Sequence, residues 1–382
     1  MQKMSCDFPR SFRLIGLMRP LRLIGLMGLI GLMGCSKDEE EQLSTVSSIE
    51  VMSYVAGFDE NTLTTRSWVP PTPYELYGET DKAIGIAFTK NGDEPKKGHF
   101  FTSSGKWRTN IDDISATTYY LYGYVPHFGG ISMSITDRNG ANANYSAGAK
   151  VTLNDVPAVM PSDLCVVIGA KEGTDKETVT GLRKGYFAYQ GSASAESNFV
   201  FLLFDHLYAA LRIRMRVHDD YAALRTIKLK SLSLKTYAGA TTSSQKTNIV
   251  VNLAATDGSN PIQDITYTPS GGEITEPLEF WSSESEELTT DFKPFVGHFM
   301  PDGITTLVLT SVYDVYDKKD NLIRKDCKAT NTMVLSELLT DQATTLRGRR
   351  YTINMTIKPT YLYMLSEPDL NNPTVTVEKK GD

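Results

Sequence analysis

Apolar and polar positions alternate most clearly at residues 211–218, where Leu211, Ile213, Met215 and Val217 interleave with Arg212, Arg214, Arg216 and His218. A period of two places the first set on one face of a strand and the second on the other, so one face enters a core and the other is wet. The next segment carries Ile227 and Leu229, then Leu232 and Leu234, and the phase slips by one at Ser231. A β-bulge there would absorb the extra residue without turning the apolar face outward. Similar patterning predicts strands at 49–58, 83–88, 119–125, 151–153, 164–168, 249–253, 306–316, 322–328 and 351–357. The 49–58 segment is apolar on both faces beyond Val51, as expected of a strand buried between layers.

Turn chemistry punctuates these runs. Pro126 closes the aromatic 119–125 strand, Asn139-Gly140 predicts a type I′ hairpin turn, and residues 317–321 predict a second hairpin between the 312–316 and 322–324 segments. Residues 59–75 are irregular, with Pro70, Pro71 and Pro73, and only 336–339 reads as briefly helical. No 20–50-residue period repeats. The small, polar stretch 191–197 is the expected seam, giving two β-sandwich domains at 47–195 and 196–382. A composition rich in tyrosine and threonine, with 29 glycines and 17 prolines, fits the same all-β reading.

The N-terminus follows a different rule. The last uninterrupted apolar run, 23–34, is short of the roughly 20 residues that a helix needs to span a bilayer, and Arg19 and Arg22 precede it. It ends in Leu32-Met33-Gly34-Cys35, a lipobox, so residues 1–34 are expected to be a lipoprotein signal peptide and Cys35 the lipidated (palmitate-bearing) residue. The hexapeptide Arg-Leu-Ile-Gly-Leu-Met occurs at 13–18 and again at 22–27, and Met18 would itself open a compact leader. Residues 35–46 read as an acidic tether, beginning Ser36-Lys37-Asp38-Glu39-Glu40-Glu41 behind the cysteine. The expected location is the outer membrane, surface-exposed.

Charge and chemistry narrow the function. A formal net charge of −6 argues against nucleic acid as a partner, since phosphate binding needs a basic surface. Outside the leader and the lipobox only Cys165 and Cys327 remain, expected as two buried free thiols rather than a disulfide. There is no Gly-x-Ser-x-Gly, phosphate loop, His-Glu-x-x-His or Cys-x-x-Cys, and the five histidines (99, 127, 206, 218 and 298) are not paired at ligand spacing. No catalytic residue, metal or cofactor is therefore expected. Arg212, Arg214 and Arg216 with Lys228 and Lys230 read as a solvated sheet face, and Trp68, Trp107 and Trp281 serve either as core or as stacking platforms for sugars.

Several segments together carry a likeness. They are the lipobox and acidic run, Thr64-Thr65-Arg66-Ser67-Trp68 before Ile84-Gly85-Ile86, the 119–126 aromatic strand, Val156-Pro157 followed by Asp163-Leu164, Phe199 to His206 with Leu211-x-Ile213, residues 313–317, and Gly348-Arg349-Arg350-Tyr351-Thr352-Ile353. In this order they resemble the Mfa-like fimbrillins, lipoprotein subunits of type V pili, over nearly all of the mature chain. The resemblance implies two transthyretin-like, Greek-key sandwiches and assembly by donor-strand exchange. A trypsin-like surface protease cuts after an arginine, here Arg66, and removes lipid and first strand together. A neighbouring subunit then fills the vacated groove with its C-terminal segment, here Thr374, Val375, Thr376 and Val377, and the polymer supports adhesion. A glycan-binding surface lipoprotein, of the kind that partners outer-membrane sugar importers, is the alternative reading; it would retain its lipid.

Overall fold

Residues 199–204 (Phe-Val-Phe-Leu-Leu-Phe) form a strand with no polar face, and the architecture explains why. In the computed structural model, residues 49–55, 57–58, 72–73, 83–173, 181–191, 198–339, 343–361 and 368–378 are described. Strand Asn198–His206 lies inside a nine-stranded sheet ordered Thr72–Pro73, Ile49–Val55, Asn198–His206, Cys165–Gly173, Thr118–His127, Ala83–Thr89, Lys96–Ser103 and Lys106–Thr109, with Ala188–Gln190 also on Thr118–His127. Both faces of this strand are buried. Phe201 and Leu203 enter one apolar cluster with Tyr122, Tyr124 and Val166, while Val200, Leu202 and Phe204 enter a second with Ile84, Ile86 and Phe100. Burial on both faces removes any need for alternation. Gly85 lies against a close neighbour, since a Cβ there would lie 2.4 Å from the Tyr124 ring.

A four-stranded sheet, ordered Ile262–Pro269, Lys246–Ala254, Gly148–Pro157 and Ser132–Asp137, packs on the first of those clusters through Ile135, Val151, Leu153, Ile249, Val251 and Leu253. Two further five-stranded sheets form the other sandwich. One runs Pro368–Glu378, Arg350–Tyr361, Ala209–Val217, Lys293–Phe299 and Val159–Met160. The other runs Thr241–Thr242, Arg225–Ala238, Thr306–Asp317 and Leu322–Val334, with Leu278–Leu288 also on Arg225–Ala238. Leu211, Ile213, Met215, Val217, Met355 and Ile357 from the first meet Ile227, Leu229, Leu232, Leu234, Leu309 and Val315 from the second in one core. The fold is all-β, as expected, and no helix among the described residues is long and apolar enough to cross a membrane.

Alternation at 211–217 is realised, with the four apolar side chains buried and Arg212, Arg214 and Arg216 half-buried. The bulge falls at Lys230, where both neighbouring ladders step from Leu229 to Ser231. The 317–321 hairpin forms, its turn closed by the Asp317 carboxylate accepting from the backbone N–H groups of Lys319 and Asn321.

Other expectations change. The strand predicted to stop before Pro126 continues to His127, which pairs with Ala83. The missing N–H is tolerated because Pro126 falls where the register shifts between Ala83 and Gly85. Asn139-Gly140 is not a type I′ turn: Gly140 has a φ of 84° but Asn139 does not share the left-handed conformation that this turn demands. A longer loop is gathered instead by the buried Asp137 carboxylate, which accepts from the backbone N–H groups of Asn139, Ala141, Ala143 and Asn144. Those hydrogen bonds outweigh the desolvation that pushes the carboxyl up and hold it below its ordinary value. Cys165 and Cys327 form no disulfide; Cys165 is buried as expected, but Cys327 is only half-buried. The expected seam at 195/196 does not part the sheets, because four ladders cross it: Ile49–Val55 and Cys165–Gly173 with Asn198–His206, Gly148–Pro157 with Lys246–Ala254, and Val159–Met160 with Lys293–Phe299.

Candidate functional site

The first strand, Ile49–Val55, is paired in parallel with Asn198–His206 from Ile49↔Asn198 to Val55↔Phe204, and antiparallel with Thr72–Pro73 at two positions. Ile49 and Val51 fill one core and Tyr54 the other, so seven residues from the start of the described chain plug both faces of the sheet. Just beyond them Phe58 stacks on His206, ring centroids 3.9 Å apart, with the Arg350 guanidinium 5.4 Å from its centroid. Taking the strand away would bare a row of backbone groups on Asn198–His206 together with the apolar side chains on either side, which is the geometry of a strand acceptor.

At the other end, Pro368–Glu378 is the edge strand of its sheet among the described residues, antiparallel to Arg350–Tyr361 with Val375 opposite Ile357 and Val377 opposite Met355. Of the expected donor residues, Thr374 is exposed and Val375 buried, while Thr376 and Val377 are both half-buried. Polar contacts reach the strand from several neighbours. The Tyr313 hydroxyl donates to the Pro373 carbonyl at 3.2 Å and the Asn331 side-chain amide to the Val375 carbonyl at 2.7 Å. Arg225 donates to Asn371 and Arg324 to Asn372 at one end, and Arg216 pairs with Glu378 at 2.9 Å at the other. In the single chain, therefore, the tail lies on its own sheet.

Glu378 makes this latch sensitive to pH. Burial pushes its carboxyl up, but hydrogen bonds from Thr356 and Arg216 and the Arg216 charge outweigh that effect and hold it below its ordinary value of 4.5. A depressed folded value means that the stabilisation is fully present above pH 4.5 and is lost as pH falls through the lower, folded value. Glu378→Gln is expected to lower stability by about 0.5–1 kcal/mol at neutral pH. In paired urea unfolding curves that difference should vanish in acid; a gap that persists there would mean that the charge of Glu378 is not responsible.

The remaining sequence-derived sites are distributed as follows. Cys35 and Arg66 lie outside the described residues. The arginine face is engaged rather than bare: Arg212 and Arg216 donate to Thr352 and Thr356, and Arg214 and Arg216 lie over Phe292. Trp281 packs on Phe295 and Trp107 against the Ile84–Phe100 core, so both are structural, while Trp68 lies outside the described residues.

One cluster escaped sequence reasoning. Cys165 and His206 are direct partners across an antiparallel ladder, and Asp163 lies two residues before Cys165. The Cys165 thiol lies 3.0 Å from Asp163 Oδ2, His206 Nδ1 lies 2.5 Å from the same oxygen, and sulfur and nitrogen are 3.7 Å apart. All three residues are buried. About forty residues separate His206 from the other two, so no local spacing rule could have joined them.

Comparison with known proteins gives no family-model match and no match among curated proteins. Solved structures resembling the chain include a candidate cell adhesion protein from Bacteroides uniformis (13% identity, TM-score 0.35, covering 87% of this chain and 98% of that one). Another is a candidate cell adhesion protein from Bacteroides fragilis (11% identity, TM-score 0.39, covering 87% and 98%). A fimbrial protein from Bacteroides ovatus is similar at 10% identity and a TM-score of 0.32, over 81% of this chain and 48% of that one. Scores in this range do not establish a shared function.

Proposed function

We propose that this chain is a cell-surface adhesion protein of the fimbrial kind: a non-enzymatic pilus subunit exported as a lipoprotein and assembled by exchange of strands. The observation that carries the reading is the first strand. Ile49–Val55 follows a lipobox and an acidic tether in the sequence, and it lies between Thr72–Pro73 and Asn198–His206, the latter much later in the chain. A cut after Arg66 would free lipid and strand together, and a strand from another subunit would then satisfy the same backbone row and side-chain pockets. Such a contact joins unlike surfaces on the two copies, so it propagates head to tail into a filament. Pro368–Glu378 is the segment proposed to be donated: it lies at an edge among the described residues and sets Val375 and Val377 toward its own core. The partners are thus further subunits, the outer membrane before processing, and a trypsin-like surface protease.

Two substitutions test the ends of this scheme. Cys35→Ala should abolish incorporation of radiolabelled palmitate, and undiminished label would sink the lipoprotein assignment. Arg66→Ala should yield a stable, membrane-anchored monomer with no filaments by electron microscopy. Normal filaments from that variant would remove Arg66 as the processing site.

A further inference from the structure

We propose that Asp163, Cys165 and His206 form a binding site for a thiophilic divalent transition-metal ion of the zinc class. The sheet imposes the convergence. Cys165 and His206 face each other across the ladder, and Asp163 lies two residues ahead of Cys165, just before the strand begins, with its carboxylate turned onto both. One carboxylate oxygen, one sulfur and one imidazole nitrogen thereby lie within 4.8 Å of one another, each in a buried residue. Tetrahedral zinc takes this donor set, with ligand atoms about 3.3–3.6 Å apart when the metal–ligand bonds are about 2.0–2.3 Å long. The sulfur–nitrogen separation of 3.7 Å already matches. The carboxylate oxygen would have to withdraw by less than about 1 Å from its present 2.5 Å and 3.0 Å contacts to seat the ion.

Two further observations point to a ligand rather than to a finished hydrogen-bond triad. Asp163 is 1% exposed, and its second oxygen, Oδ1, is buried with no hydrogen-bond partner among the described residues. An orphan oxygen on a buried carboxylate is costly and calls for a cation. Charge also balances: an ion of charge +2 offsets one carboxylate and one thiolate beside a neutral imidazole, and binding releases the thiol proton to solvent. Phe58, stacked on His206, packs an apolar ring against one of the three ligands. The rival arrangement is a buried Asp–His ion pair with a thiol attached, which would take no metal. The proposal is independent of pilus assembly, since it concerns the intact chain with its first strand in place.

The test uses the uncleaved chain, with its first strand in place, stripped with EDTA. Zinc titrated against a chromophoric chelator should bind at one equivalent per chain and raise the melting temperature, because an ion that binds only the folded state stabilises it. Cobalt should bind with a thiolate-to-metal charge-transfer band in the near ultraviolet. Cys165→Ser, which keeps the shape of the side chain, should abolish the band and weaken zinc binding at least tenfold. Uptake below a tenth of an equivalent at micromolar free zinc would overturn the site, as would cobalt bound without the band or a band that survives Cys165→Ser. The wild-type measurements decide the matter alone should the variant fail to fold.

Discussion

A chain that begins at Ser67 is expected to lose the fold of its first sheet unless a strand is supplied in trans. The truncation removes Ile49, Val51 and Tyr54, all buried, and the half-buried Met52 and Val55. At about 1.5–3 kcal/mol for each fully buried apolar side chain and half that for the others, the loss is about 6–12 kcal/mol. A domain's whole stability is about 5–15 kcal/mol, so little or nothing remains. The unpaired edge of Asn198–His206 adds a template for aggregation. The expected result is a soluble product only when a synthetic peptide of residues 368–378 is present, with strong binding of a hydrophobic dye in its absence. A truncated chain that is monomeric, stable and silent to the dye would remove the slot as an acceptor. Rescue by a peptide of residues 49–58 but not by 368–378 would keep the slot and reject the donor.

Deleting residues 366–382 is expected to have the second-largest effect, of a different kind. Val375 is buried and Leu370 and Val377 are partly buried against the second core, so their removal takes away about 3–6 kcal/mol. This is a weakening within the stability of a domain, because the Arg350–Tyr361 strand keeps its parallel ladder to Ala209–Val217. The deleted chain should therefore fold with a lower melting temperature, fail to extend filaments, and still terminate a growing one by accepting a strand. Filaments of normal length from the deletion would refute the donor role, and failure to fold would make the tail an indispensable part of its own sandwich.

The two ends were legible in the sequence for unequal reasons. The valines at 375 and 377 alternate with threonines, which is a local signal, and the strand is there; that it lies on its own sheet follows from partners such as Tyr313 and Asn331, which are far away in sequence. The 211–217 alternation and the phase slip beside Lys230 could be read directly, because one wet face leaves a period of two to count. Runs such as 83–89 and 199–204 identify strands but not neighbours, since burial on both faces erases the period. The 139–140 turn misled because a single buried aspartate, Asp137, outcompeted the local preference of Asn-Gly with four backbone hydrogen bonds. The Asp163–Cys165–His206 cluster was beyond any spacing rule, as it exists only once the ladder register is fixed.

The hairpin formed by Lys246–Ala254 and Ile262–Pro269 has a consequence for how the chain matures. Gly148–Pro157 completes its ladder only with residues that follow roughly a hundred positions later, so Ile135, Val151 and Leu153 find Ile249, Val251 and Leu253 late. A polypeptide emerging amino end first through an export channel cannot close its leading half before the hairpin has emerged as well. If the chain is exported as proposed, folding should wait on translocation, with long loops closed before contacts reward them, and the delay would keep the leading half open to a chaperone. The two halves would mature as one event, and a nascent chain arrested near residue 200 should be digested by protease as readily as an unfolded one.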